Sequence, residues 1–133
     1  MFVLEPSHIH RIGIVDDDDA VRDAIHILLE TRGFLASEYR SAQDYLRAPQ
    51  DDCVLLIDLS MAGFDGLDLV DLLRKGGIRT PIVVMTDVAR PGQAQRISAM
   101  ERCLPLQKPV DSGSLLAAIA ASMDAAACAS PAT

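Results

Sequence analysis

At 133 residues the chain has the length of one domain, enough to bury a core without disulfides or a structural metal. Half of its residues are hydrophobic, 23% are charged and 4% are aromatic, which excludes the disordered and fibrous classes. A formal net charge of −7 repels phosphate backbones, so no nucleic-acid partner is expected; a divalent cation or a basic protein surface suits it better.

Cys53, Cys103 and Cys128 are far apart and show no metal-ligand spacing. Reduced thiols in a cytoplasmic protein are therefore expected. The opening MFVLEPSHIHRIG lacks the basic flank and long apolar run of a secretory leader. The longest apolar stretch, Leu115 to Ala121, is too short to cross a bilayer, so no membrane partner is expected.

Short apolar runs alternate with amphipathic segments along the chain. Ile12 to Val15 reads as a buried strand followed at once by four acids, Asp16 to Asp19. Val21, Ala24, Ile25, Leu28 and Leu29 recur at helical spacing, with Asp18 or Asp19 as cap and Gly33 as stop. Phe34 to Tyr39 reads as a more polar second strand. Ser41 with Asp44 resembles a capping box for a short helix through about Arg47, and Pro49 to Asp52 is a loop. Cys53 to Ile57 is an unbroken apolar run, as expected of a parallel strand buried on both faces, and it stops at Asp58. A turn from Met61 to Gly66 leads into a helix with Leu67, Val70 and Leu73, ended by Gly76 and Gly77. Pro81 to Met85 is a fourth strand that stops at Thr86. Pro91 and Gly92 open a helix with a thin apolar stripe of Ala94, Ile97 and Met100. Cys103 to Gln107 is a short fifth strand. Pro105 makes it an edge strand, because proline cannot donate to a sheet. Lys108-Pro109 follows, and Ser112 or Ser114 caps a last helix with Leu115, Leu116, Ile119 and Met123 on one face.

Five successive strand–helix units imply an α/β fold: a five-stranded parallel sheet with right-handed crossovers and helices on both faces. The expected division is an extension over 1–10, the domain over 11–123 and an Ala-rich, frayed tail over 124–133. Ligands of such sheets bind beyond the carboxyl ends of the strands. Those ends carry Asp16 and Asp17, Asp58, Thr86 and Lys108. The second strand offers no comparable residue.

Taken singly, each of these residues has an ordinary structural explanation. Acids cap helices, Asp58 forms a turn, Thr86 closes a strand and Lys108 lies on the surface. Taken together they make a chemical set. Three crowded carboxylates repel one another and raise one another's pKa, which a hard divalent cation relieves. A carboxylate there is placed to attack phosphorus and form an acyl phosphate, with Lys108 and Thr86 contacting phosphoryl oxygens.

The stretches Ile14 to Arg22, Val54 to Asp58 with Met61 and Asp65-Gly66, Val83 to Thr86, and Lys108-Pro109 resemble the receiver domains of bacterial two-component response regulators. The resemblance runs from about Arg11 to Met123. It implies the chemotaxis-regulator-like, flavodoxin-like sheet of order 2-1-3-4-5. It further implies Asp58 as phosphoacceptor and Mg²⁺ (or Mn²⁺) bound by Asp17, Asp58 and the Ser60 carbonyl, with Asp16 acting through water. Thr86 and Lys108 would contact the phosphoryl group, and Lys108-Pro109 would be a cis peptide. The implied donor is a histidine kinase or histidine phosphotransfer protein. The implied recipient is a downstream protein or an output domain outside these 133 residues. Such a chain is a switch, not an enzyme with turnover. The Ala-rich face of the last helix permits a homodimer.

Several positions depart from the family pattern. Ala62 replaces a proline, and Asp87 stands where a small residue leaves the phosphoryl group room to enter. Glu101-Arg102 replaces Gly-Ala. Pro105 replaces the aromatic residue whose swing couples the Thr to the output face. Pro91 and Gly92 imply an unusual start to the fourth helix. Ser60 and Val88 are poor at holding an attacking water, so a phosphoryl lifetime of many minutes is expected. Two other readings compete. One is a receiver-shaped interaction module whose behaviour is independent of phosphorylation, motivated by Asp87 and Pro105. The other is a small haloacid-dehalogenase-like phosphatase using Asp16 or Asp18 as nucleophile with Thr86 and Lys108, for which only Asp111 and Asp124 remain as the further acidic pair. A flavin site is disfavoured by the four acids after the first strand.

Overall fold

The computed structural model describes residues 10–47, 52–61, 66–87 and 92–129. Ala62, Asp65, Val88 and Pro91 lie outside the described residues, as do most of the 1–10 extension and the Cys128 side chain. The elements follow one another as β1 (Arg11–Val15), α1 (Asp19–Thr31), β2 (Leu35–Tyr39), α2 (Ala42–Arg47), β3 (Val54–Asp58), α3 (Gly66–Lys75), β4 (Ile82–Thr86), α4 (Gln93–Ala99), β5 (Cys103–Gln107) and α5 (Ser112–Ala129). All strand pairs are parallel and the sheet order is β2-β1-β3-β4-β5. The expected α/β architecture and strand order are both present.

Side chains alternate across the sheet with period two, and this splits the core. Ile12, Ile14, Val54, Leu56, Val83 and Met85 face α1 and α5, where they meet Ile25, Leu29, Leu115 and Ile119. Val15, Leu55, Ile57, Ile82 and Val84 face the other side, against Leu67, Val70, Leu73 and Ile97. The central strands β3 and β4 are buried along their whole length, as their unbroken apolar runs require. Gly13 stands on the α3 side, where a Cβ would come within 2.7 Å of the buried Asp52 carboxylate and 2.8 Å of Leu55. A side chain at that position forces its neighbours to shift.

The helix ends follow their local chemistry. Asp18 caps α1 by accepting from the N–H groups of Ala20 and Val21. Gly33 and Gly77 adopt φ +87° and +84° and close α1 and α3 with paired bonds, Gly33 N–H to Glu30 O with Phe34 N–H to Leu29 O, and Gly77 N–H to Arg74 O with Ile78 N–H to Leu73 O. Ser41 Oγ accepts from the Asp44 N–H, and Asp44 reaches back to the Arg40 N–H, one residue earlier than a standard capping box. At α5 the cap is Asp111, not Ser112 or Ser114. Its carboxylate accepts from the Ser114 N–H at 2.8 Å and from the Ser114 hydroxyl. An ionised carboxylate outcompetes a hydroxyl as a cap because it also meets the positive end of the helix dipole. The helix continues through Ala129, past the Asp124 at which the sequence places a frayed tail; the alanines of that segment are strong helix formers.

Pro105 lies on the edge strand, as expected, and is exposed. Ile82 N–H donates to Arg102 O and Lys108 N–H donates to Thr86 O, so the even-numbered residues of β5 bond to β4. Residue 105 falls in the outward-facing set, where a missing N–H removes no ladder bond and discourages edge pairing.

Candidate functional site

The carboxyl ends of β1, β3, β4 and β5 meet beyond the sheet. Asp16 and Asp58 are 1% and 5% exposed, whereas Asp17 faces solvent. One carboxylate oxygen from each of Asp16, Asp17 and Asp58 lies within 4.8 Å of the other two. Lys108 Nζ donates to Asp58 Oδ1 at 2.8 Å, joining residues 50 positions apart. The Ser60 N–H donates to the same oxygen at 2.9 Å. Two donors on Oδ1 fix the plane of the Asp58 carboxylate. Lys108-Pro109 is a cis peptide.

Asp16 is the electrostatically costly member of the group. Its Oδ1 accepts from the Asp18 N–H at 2.9 Å, while the buried Oδ2 has no partner among the described residues. Burial, followed by the negative charge of Asp58, pushes its pKa up to about 6 against the opposing pull of the Asp18 N–H and Lys108. At Lys108 burial disfavours the ammonium, but the bond to Asp58 and the charges of Asp58, Asp87 and Asp16 outweigh it and raise the pKa. An orphaned buried oxygen among three carboxylates is what a hard cation with oxygen ligands satisfies, so the donor set fits Mg²⁺ or Mn²⁺.

Thr86 stands on the opposite face of the sheet from Met85 and donates to Gln93 Oε1 of α4 at 3.4 Å. Beside it, Gln93, Ala94, Ile97, Ser98, Pro105 and Gln107 line a cavity of about 370 Å³. No aromatic side chain lines it among the described residues. Asp87 neither enters the site nor turns away. Its Oδ2 accepts from the Ser60 hydroxyl at 2.7 Å and its Oδ1 lies 3.9 Å from Lys108 Nζ.

Sequence reasoning missed Arg22 and Glu38. Arg22 is buried; its Nη1 donates to the Asp16 carbonyl at 2.7 Å, its Nε to Glu38 of β2 at 2.9 Å, and its Nη2 to Asp19. The second strand therefore does contribute: Glu38, one residue before its carboxyl end, holds Arg22 of α1 rather than joining the acid cluster itself. The available signal was a cation close to the N-terminus of α1, where the helix dipole disfavours it unless acids hold it there. Asp111 is committed to capping α5, which removes it from the acidic pair that the phosphatase reading needs.

A doubly wound 2-1-3-4-5 sheet with a strand-end acid trio and a lysine on the same carboxylate defines a receiver-type signalling domain. Comparison with known proteins agrees: residues 12–120 match the response regulator receiver domain family, and the chain belongs to it. It is 34% identical over 117 residues to the transcriptional regulatory protein FixJ of Azorhizobium caulinodans, covering 84% of this chain and 54% of that one. It is 36% identical over 94 residues to the response regulator MprA of Mycolicibacterium vanbaalenii, covering 68% of this chain and 39% of the relative. The chain thus spans about half the length, or less, of these relatives. A receiver domain protein from Methanospirillum hungatei, described as CheY-like, superposes with a TM-score of 0.83 at 23% identity over 92% of this chain and 99% of that one, which supports the fold. Receiver domains act as signalling switches rather than as classical enzymes. No helix among the described residues is long and apolar enough to cross a membrane.

Proposed function

We propose that this chain is a phosphorylation-dependent switch whose phosphoacceptor is Asp58. The observation that carries the reading is the Lys108 Nζ–Asp58 Oδ1 contact of 2.8 Å inside the Asp16, Asp17 and Asp58 cluster. Asp17, Asp58 and the Ser60 carbonyl would hold Mg²⁺ or Mn²⁺, with Asp16 acting through water. When bound, the cation supplies charge neutralisation for the phosphoryl oxygens.

The side chains perform the rest. An Asp58 carboxylate oxygen attacks phosphorus, and the bond from phosphorus to the donor's imidazole nitrogen breaks. The electron pair stays on that nitrogen, which takes a proton from water. Lys108 holds Asp58 in place before transfer and neutralises a phosphoryl oxygen afterwards. Thr86 then exchanges its Gln93 partner for a phosphoryl oxygen, which alters the contact between β4 and α4. The donor is a histidine kinase or histidine phosphotransfer protein, and the recipient is an output domain or a separate downstream protein. No small-molecule turnover is expected, and the domain works in the cytoplasm. Ser60 presents its hydroxyl to Asp87 rather than to a water, in keeping with a phosphoryl lifetime of many minutes.

The test is incubation with Mg²⁺ and acetyl phosphate, read by intact mass. Wild type gains one phosphoryl group and Asp58→Ala gains none; no gain by wild type from any donor, small or protein-borne, overturns the reading. The exposed Pro105 and the cavity beside it favour a second reading, a receiver-shaped interaction module that needs no switch. A partner binding wild type and Asp58→Ala equally well would establish it.

A further inference from the structure

Among the described strand-end acids, Asp87 is the one that the phosphoryl-transfer chemistry does not use. Its side chain is 61% exposed, against 24% for Lys108 and 7% for Asp58, so it stands on the solvent side of that pair. It is also held there. Ser60 binds Asp58 through its backbone N–H and Asp87 through its hydroxyl, so the segments after β3 and β4 are bridged in front of the Asp58–Lys108 contact. The ammonium on which a phosphoryl oxygen must land is 3.9 Å from the Asp87 carboxylate. Among Asp16, Asp17, Asp58, Asp87 and Lys108, four carboxylates oppose one cation.

We propose that Asp87, latched by Ser60, is a specificity-determining residue that selects against small free anionic phosphodonors and favours a phosphoryl group presented on a protein surface. The inference rests on Asp58 being the phosphoacceptor. A free dianion meets the exposed carboxylate with its full charge and brings no other contacts to offset the repulsion. A phosphohistidine on a docked protein arrives with the binding energy of the remaining interface, which is available to displace the latch. Asp87 does not touch the acceptor oxygen. It acts through competition for Lys108 and through its charge at the entrance.

The experiment measures initial labelling rates by intact mass at saturating Mg²⁺ for wild type, Asp87→Asn, Asp87→Ala and Ser60→Ala. Acetyl phosphate, a dianion, and phosphoramidate, which carries less charge, are the donors, at low and high ionic strength. Asp87 is exposed, so its variants are expected to melt as wild type does, and thermal melts confirm this. With acetyl phosphate at low salt, both Asp87 variants should label roughly tenfold faster than wild type, and Ser60→Ala should show a smaller gain. The gain should shrink with phosphoramidate and at high salt, because a screened or absent charge no longer discriminates. A bulky neutral obstruction would instead leave Asp87→Asn like wild type and show no salt dependence, which overturns the charge argument. Equal rates for wild type and both Asp87 variants with acetyl phosphate overturn the proposal while leaving Asp58 as acceptor. Absence of label in every variant with both donors overturns the acceptor reading and this inference with it. Labelling of the Asp87 variants alone supports both.

Discussion

Replacing Asp16 by Asn is expected to stabilise the metal-free protein at neutral pH, although it removes a carboxylate from the acidic cluster. Asp16 is 1% exposed, and its Oδ2 lacks a partner among the described residues. Burial and the Asp58 charge raise its pKa from 3.8 to about 6. A carboxyl with a folded pKa above its unfolded one binds its proton more tightly in the native state. Its favourable contribution is complete below pH 3.8 and is lost as pH rises through about 6. At pH 7.5 the folded protein carries the whole penalty. A shift of about two pH units corresponds to roughly 3 kcal/mol. Asn keeps an acceptor for the Asp18 N–H and presents an amide where the second carboxylate oxygen stood. The expected gain is on the order of 2–3 kcal/mol, or a rise in Tm of roughly 5–10 °C for a chain of this size. Urea unfolding followed by far-UV circular dichroism, in a chelator at pH 7.5 and pH 5.0, is the assay. The stability difference between variant and wild type should be large at pH 7.5 and smaller at pH 5.0. Adding Mg²⁺ should stabilise wild type more than the variant by mass action. A variant no more stable than wild type at pH 7.5, or a difference that does not change with pH, refutes the reasoning.

Two further outcomes follow from the packing around the site. His26 lies between Glu30 and Glu38; burial disfavours its charge, but the two acids outweigh it and raise its pKa above 6.5. Its stabilising contribution is therefore complete below pH 6.5 and lost as pH climbs through the raised value, so urea midpoints of wild type relative to His26→Gln should fall over that window. A difference independent of pH would show that the imidazole does not titrate against those acids. Gly13→Ala should destabilise by about 1–3 kcal/mol through contact with Asp52 and Leu55, and Asp52→Ala in the same chain should recover part of the loss. Additive effects in denaturant titrations would refute that coupling.

Stability and function meet at Asp16. On the proposed reading the cluster takes a cation and the Asp16 oxygen stays unsatisfied until it arrives, which the fold tolerates because β1, β3 and β4 are packed on both faces. Arg22 reinforces the arrangement. By holding the Asp16 carbonyl and Glu38 together, it fixes the backbone from which Asp16 and Asp17 project.

Much of this was readable from residue order. Cys53 to Ile57 and Pro81 to Met85 are apolar runs too short for helices and too continuous for a half-exposed sheet, so buried parallel strands follow. Residues at successive strand ends of a parallel sheet share one edge, and that rule places Asp16, Asp17, Asp58, Thr86 and Lys108 along it, with Asp16, Asp17, Asp58 and Lys108 drawn into one cluster. Local patterns report local burial because backbone geometry fixes a period of two or 3.6 residues. They carry no information about which polar atom a side chain chooses among several within reach. The capture of Asp87 by Ser60, the grip of Arg22 on the Asp16 carbonyl and the commitment of Asp111 to α5 were decided only when the crossovers packed. Each is a competition among nearby donors and acceptors that only three-dimensional distance resolves.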